Sequence, residues 1–339
     1  MTTGSGKPKQ GFRLTAKRKA LIAAGKLDIA DLILEARAKG FDPDLASIFG
    51  KKPKGRPKKR DQQGIPTTAR LSVKIEPQNL PAASLETDEQ IIKRLDERFA
   101  TIRLMVQEAA NGSIPSLIIS GPAGLGKSWT VEEEIKAADP NSVNTTLISG
   151  NAKATGVFKT LYKHRVPGQV VLFDDCDSIF GDETSLNILK AVCDTKPKRT
   201  VSWKSEVKFV DDDDGTDVPK TFEFEGTVIF ISNYSFDAMA ESNSKLSPHI
   251  KALLSRSLYV ELVLNSKRDA IVWIRHQCLD KKILAADVND ETAKEVADFI
   301  ETNVDKVREL SLRTAVKIAY LAKKSPNWRT TAEITCCRS

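Results

Sequence analysis

The sequence predicts an α/β protein: a five-stranded parallel sheet with helices on both faces, followed by a small helical domain. Three observations carry this expectation. Between about residues 85 and 265, short apolar runs bounded by turns alternate with helix-like segments, as in a sheet buried on both faces. A glycine-rich loop, Gly121 to Ser128, falls between the first of these runs and the helix after it. Beyond residue 266 the strand-like runs stop and only helical spacing remains.

Residues 1–20 are polar and basic, and Leu21, Ile22, Ile29, Leu32, Ile33 and Leu34 then recur at roughly helical spacing, enough for a short helical segment. From Gly50 to about Pro81 Lys, Pro, Gly and Gln dominate, so residues 1–84 are expected to be a largely disordered arm ending in a linker. A long amphipathic helix should run from about Asp88 to Ala110, with Ile91, Ile92, Leu95, Phe99, Ile102 and Leu104 among its apolar positions. The expected strands are SLIIS (116–120), NTTLIS (144–149), QVVLFDD (169–175), TVIFISN (227–233) and SLYVELVL (257–264). Before the fourth, two β-favouring stretches flank the acidic loop VDDDDGTD, which predicts an inserted hairpin at about 200–226. Helices at about 267–279, 290–303 and 311–324 make a helical domain of residues 266–325, with 326–339 as a tail.

The 339 residues carry a net charge of +7, unevenly placed. Residues 1–60 hold sixteen Lys/Arg and five Asp/Glu, a net of +11, which leaves −4 for the rest. A nucleic-acid partner, if there is one, is therefore expected to meet the arm. Five cysteines and three histidines show no metal-ligand spacing, no apolar run approaches membrane-spanning length, and the N-terminus lacks a secretory core. A reduced, intracellular protein with no membrane association is expected: cytoplasmic, or nuclear in a eukaryotic host.

GPAGLGKS, Gly121 to Ser128, fits the phosphate-loop pattern G-x-x-x-x-G-K-[ST] without a mismatch, with a strand before it and a helix after it. Glycines let backbone N–H groups turn toward phosphates, and the helix N-terminus adds partial positive charge. The expected nucleotide-binding set is Gly121, Pro122, Ala123, Gly124, Leu125, Gly126, Lys127, Ser128 and Trp129, with Lys127 reaching the β- and γ-phosphates of ATP and Ser128 ligating Mg²⁺. VVLFDDCD ends a buried run in carboxylates: Asp174 is the second Mg²⁺ candidate and Asp175 the candidate water-activating acid.

On these motifs, residues 85–325 resemble the AAA+ ATPase family of P-loop NTPases, and the resemblance implies an AAA+ core at 85–265 and a helical lid at 266–325. It implies catalytic roles for Asn233, ending IFISN and positioning water, for Arg256 in KALLSRSLYVEL, reaching into a neighbouring subunit, and for Arg313 in LSLRTAVKIAYL, touching the phosphates. The alternatives are that Asn233 caps its strand, that Arg256 pairs with Glu261 or Asp269, and that Arg313 is a surface charge bordering Leu312, Val316, Ala319 and Tyr320. The family usually has Glu where this chain has Asp175, one methylene shorter. A homo-oligomeric ring, such as a hexamer, is the implied assembly.

KKPKGRPKKRD (51–61) has nothing to bury. Lys54, Gly55, Arg56, Pro57, Lys58, Lys59 and Arg60 resemble an AT-hook for the minor groove of A·T-rich DNA; a sequence-blind basic tail or a nuclear import signal fits the same residues. The hairpin is either a substrate-touching tool, through Trp203 or Lys204, or a structural edge, and Phe158 stands either in a pore loop or in the core. Two function classes follow: a DNA-associated ATPase of replication, recombination or transposition, similar to AAA+ proteins of bacterial viruses, or a protein remodeller recruited to its partner by the arm.

Overall fold

The computed structural model describes residues 74, 76, 77, 80–82, 85–203, 209, 210 and 215–338. All described residues belong to one compact unit, Thr68–Ser339. The helical segment expected over 21–41 and the hook-like stretch Lys54–Arg60 lie outside the described residues.

Helix α1, Asp88–Ala110, opens on a capping box: the Gln90 backbone N–H donates to Thr87 Oγ1 and the Thr87 N–H to Gln90 Oε1. Its buried stripe is Ile91, Leu95, Phe99, Ile102, Val106 and Ala109, at spacings of three and four. Leu104, grouped with the apolar positions from sequence, is on the outer face and 51% exposed.

Five parallel strands form the main sheet: β1 (Ser116–Ser120), β2 (Thr145–Ser149), β3 (Val170–Asp174), β8 (Thr227–Ser232) and β9 (Leu258–Glu261). Their order is β2-β3-β8-β1-β9. The three central strands, β3, β8 and β1, are buried at every position, so their sequences read as unbroken apolar runs. Helices α2 (Lys127–Ala138), α3 (Ala154–Lys163), α4 (Glu183–Val192), α5 (Phe236–Glu241) and α6 (Ser247–Leu254) fill the connections. Register brings Ser120 opposite both Ser232 and Glu261, and Asp174 opposite Ser149 and Ile231. The carboxyl ends of β1, β3 and β8 therefore share one edge, where open α/β sheets place ligands.

The expected hairpin is present as β4 (Arg199–Ser202) paired antiparallel with β7 (Thr221–Phe224), and β5 (Phe209–Val210) with β6 (Asp217–Val218). Val201, Phe209, Val218, Phe222 and Phe224 are buried in the cluster on one face of the sheet. Phe158 is fully buried there, 5.1 Å from the Phe222 ring and 5.5 Å from Trp203. It is core, and Trp203 is packed against it. The described part of the hairpin is thus fastened to the core, while Lys204 and the acidic residues 211–214 lie outside the described residues.

Helices α7 (Lys267–Leu279), α8 (Asp290–Thr302) and α9 (Leu312–Lys324) form the helical lid expected after the sheet. A five-stranded parallel sheet followed by a helical region is the architecture expected from the sequence. One expectation needs correction: residues 326–339 do not trail off as a tail. Trp328–Cys336 is a further helix, α10, whose Trp328, Ala332 and Cys336 are buried, and Cys337 bridges back to Val307. Burying one apolar stripe on the lid makes it an element.

The seam between α1 and α7 is ionic. Asp269 is fully buried and accepts from Arg94 at 2.7 Å, from Ser266 Oγ at 2.5 Å and from the Asn265 N–H at 2.9 Å. Burial pushes its carboxyl up, but those three donors outweigh it and leave the pKa below the usual range. Arg94→Ala should destabilise the protein by about 3 kcal/mol in denaturant titrations at neutral pH, because it strands a buried charge. A depressed carboxylate pKa contributes stability above its unfolded value that is lost as pH falls through the folded one. The deficit of the variant should therefore shrink in the acid range below about pH 4.

Candidate active site

The phosphate loop follows β1 and winds into α2. Its end conformation demands glycine: Gly126, the residue before α2, has φ 106° and no side-chain cap, leaving the first N–H groups of the helix open to a ligand. Gly124 has φ 72°, and a Cβ there would lie 2.4 Å from Ser311 Cβ, inside the lid. The lid holds the loop directly, since the Leu312 N–H donates to Gly124 O at 2.8 Å and Trp273 Nε1 to Leu125 O at 3.1 Å.

Lys127 is 4% exposed, and its ammonium donates to Gly121 O and Pro122 O, both at 2.8 Å, and to Asn233 Oδ1 at 3.0 Å. Burial pulls its pKa down to about 8, against the attraction of Asp175 and with the repulsion of Arg313. Asn233 in turn donates from Nδ2 to Asp175 Oδ1 at 2.7 Å. Its side chain bridges lysine and carboxylate, so it does more than cap β8. Asp175 has φ 51°, left-handed backbone that is uncommon for a non-glycine residue and concentrates at functional sites.

Beside this chain, Ser128 Oγ donates to Asp174 Oδ1 at 3.0 Å. Burial raises the Asp174 carboxyl above its ordinary range, opposed by the Ser128 hydroxyl and helped by Asp175. A third carboxylate, Asp177, which sequence reasoning left without a role, accepts from Ser232 Oγ at 2.6 Å and lies 3.7 Å from Lys74 Nζ. Among the described residues, no group of three or more His, Cys, Asp and Glu side chains gathers to hold a metal ion. A hard cation at Ser128 and Asp174 would draw its remaining oxygens from phosphate and water.

These groups open onto a cavity of about 860 Å³ between α1, the loop and the lid. Gly124, Leu125, Gly126, Lys127, Ser128, Trp129, Asp175, Asn233 and Arg313 all line it. Gly121, Pro122 and Ala123 form the back of the loop instead, the first two through their carbonyls to Lys127. Asp174 is reached through Ser128. Arg256 does not line this cavity; it lines a separate cleft and donates to Ala252 O at 2.7 Å. Neither alternative partner holds it, for Asp269 takes Arg94 and, among the described residues, no ion pair joins Arg256 to Glu261.

Sequence reasoning missed the apolar half of the cavity: Phe99, Trp273, Ile283, Leu312 and Val316. Phe99 and Trp273 stack at 4.9 Å with planes 9° apart. It also misplaced the buried face of α9, which is Thr314, Ala315, Ile318 and Ala319; Val316 and Tyr320 are 45% and 57% exposed. The displaced stripe is what turns Val316 and Arg313 toward the cavity. Phe99, read only as an apolar position of its helix, and Trp273, left without a role, both stand on helices flanking the loop and were the available signal.

Loop, sheet order and following helices match the architecture that the sequence motifs led one to expect. The chain is 32% identical over 236 residues, 69% of its length and 71% of the relative's, to a protein of Enterobacteria phage T4, the uncharacterized 36.7 kDa protein in the nrdC-mobD intergenic region, and it belongs to that protein's family. No family model matches the sequence. Among solved structures, the Thermotoga maritima RuvB Holliday junction branch migration motor superposes with a TM-score of 0.37 at 14% identity, covering 73% of this chain and 68% of that one. Domain III of the Thermotoga maritima replication initiation protein DnaA gives 0.38 at 15% identity, covering 70% and 88%. Both likenesses are too loose to transfer a role.

Proposed function

We propose that the protein is an ATP-hydrolysing AAA+ motor that assembles as a homo-oligomer and works on DNA. One observation carries the enzymatic part: Lys127, Asn233 and Asp175 form a single hydrogen-bonded chain along the loop, with the Ser128–Asp174 pair beside it. Among the described residues, the acceptors of Lys127 in that chain are backbone carbonyls and an amide oxygen, an arrangement suited to exchange for phosphate oxygens. Asp175 is the base that takes the proton of the attacking water, Asn233 orients that carboxylate, and Arg313 faces the phosphates from the lid. The residues fit Mg²⁺ at Ser128 and Asp174, where it would neutralise charge between the β- and γ-phosphates. The apolar wall of Phe99, Trp273 and Val316 suits the flat face of a base.

Lys127 must be protonated to pair with phosphates, and phosphate contact raises its pKa. The free site, at about 8, then takes up a proton on binding. ATP affinity should fall as pH rises through about 8, and calorimetry near that pH in buffers of different ionisation heat should show proton uptake. Binding that is flat from pH 7 to 9 would mean the lysine is not the phosphate ligand.

The DNA part rests on the +11 concentrated in residues 1–60. Duplex and single-stranded DNA should stimulate ATP hydrolysis, and removal of residues 1–60 should weaken DNA binding and flatten its salt dependence while basal hydrolysis survives. Arg56→Ala alone should cost A·T preference more than overall affinity. Stimulation by a polypeptide and not by DNA would instead identify a protein remodeller. No described helix is long and apolar enough to cross a membrane.

A further inference from the structure

Asp177 is the carboxylate beside the nucleotide site that the proposed chemistry does not use. It opens the short 3-10 helix Asp177–Gly181 after β3, its side chain is 13% exposed, and it is not among the residues that line the nucleotide cavity. Asp177 Oδ1 accepts from Ser232 Oγ at 2.6 Å, and Ser232, fully buried at the end of β8, accepts in turn from the Tyr234 N–H at 3.1 Å. A hydroxyl that gives its proton to a carboxylate keeps its lone pairs for such an N–H, so Asp177 sets the direction of both bonds. The residue between Ser232 and Tyr234 is Asn233.

Lys74 completes the arrangement from the N-terminal side of the chain. Its Nζ lies 3.7 Å from Asp177 Oδ2 and 5.5 Å from the centre of the Tyr234 ring, and its backbone forms an antiparallel bridge with Tyr234. Lys74 follows the basic arm in sequence, and the residues after it are anchored: Pro77 is buried, Leu80 packs against the core, and Pro81 O accepts the Lys267 N–H at 2.7 Å where α7 begins. The lysine side chain is half exposed, and an ion pair of that kind adds little to stability. What it can do is hold geometry. Asn233 spans Lys127 and Asp175 through bonds of 3.0 and 2.7 Å, and displacing a catalytic contact by about 1 Å can cost about 100-fold in rate.

We propose that Lys74 and Asp177 are positioning residues for hydrolysis: they brace Ser232 and Tyr234 on either side of Asn233 and so hold its amide between Lys127 and Asp175. The inference rests on the ATPase reading above. Neither residue has to touch the nucleotide, for both act through Asn233.

The test uses the full-length chain. Asp177→Ala should lower kcat for ATP about tenfold and Lys74→Ala about threefold, with KM near wild type in both, since the phosphate and base contacts are untouched. Lys74→Arg, which keeps the cation, should retain wild-type turnover. Because the two residues act through one contact, the double variant should lose no more than Asp177→Ala alone. Lys323→Ala breaks an ion pair with Asp287 on the lid and should leave turnover unchanged. Hydrogen exchange at the Tyr234 N–H reads the brace without ATP and should be faster in Asp177→Ala and in Lys74→Ala than in the wild type. Should Asp177→Ala fail to fold, Lys74→Ala, a change at a half-exposed side chain, carries the test. Wild-type kcat in Lys74→Ala overturns the proposal, as does a loss that Lys74→Arg shares, a loss that Lys323→Ala matches, or additive losses in the double variant. If the wild-type chain hydrolyses no ATP, the ATPase reading fails by itself, and exchange decides the brace: a Tyr234 N–H that exchanges in Lys74→Ala as it does in the wild type overturns it.

Discussion

Lys127→Ala is expected to weaken ATP binding at least about 100-fold, the largest single effect on binding in the nucleotide site. Lys127 is 4% exposed and its ammonium is held by two backbone carbonyls and Asn233, so it is aimed before the ligand arrives and little ordering cost remains. Charged hydrogen bonds in such surroundings contribute about 1.5–3 kcal/mol each, and losing two of them at once amounts to about two decades or more. The variant also relieves the burial that pulls the lysine pKa to about 8, so its stability should not fall with its affinity. Equilibrium titration followed by Trp129 fluorescence measures the first, and a denaturant midpoint the second. Wild-type affinity in a folded Lys127→Ala chain would remove the phosphate loop from the proposal.

Much of this site could be read in the sequence because its parts are local. A glycine at position 126 that must be left-handed, a lysine and a serine that open a helix, and a carboxylate that closes a buried strand each announce themselves within eight residues. Helix starts were legible for the same reason: Thr87, Asn289 and Ser311 cap α1, α8 and α9 through their own side chains. The illegible parts are those that only tertiary structure creates. Phe99 and Trp273 lie far apart in the chain and become one wall when α1 and α7 pack. The expected and observed faces of α9 share Ala319, and the observed one buries Ala315 and Ile318 in the same core cluster as Trp328 and Ala332 of α10. Trp328–Cys336 looked like a tail because its apolar residues are few; on an existing lid surface few are enough. Arg199 reads as an ordinary strand-end charge until Val192, Phe224 and Gly226 close over it.

Arg256→Ala should bind ATP as the wild type does and yet hydrolyse it about 10³- to 10⁵-fold more slowly, the range over which an arginine supplied to the γ-phosphate acts in related hydrolases. The geometry motivates the separation of effects: Arg256 is outside the cavity that holds Lys127 and Asp175, in a separate cleft, and so cannot serve its own chain's nucleotide through that cavity. Asp175→Asn should be as inactive for a different reason, because an amide in place of the carboxylate beside Asn233 no longer accepts the proton of water. Each variant then keeps the half-site that the other lacks. In a mixed oligomer some interfaces join an intact Asp175 on one subunit to an intact Arg256 on the next, and turnover at those interfaces should return. In a dimeric or ring arrangement with random mixing at equal amounts, about a quarter of interfaces are of this kind, so recovered activity should approach a quarter of wild type and decline when either variant is in excess. Dilution should abolish it together with the oligomer. Mixtures that form hybrid oligomers, shown by tagged co-purification, yet stay as inactive as either variant alone would mean that Arg256 does not act across a subunit interface.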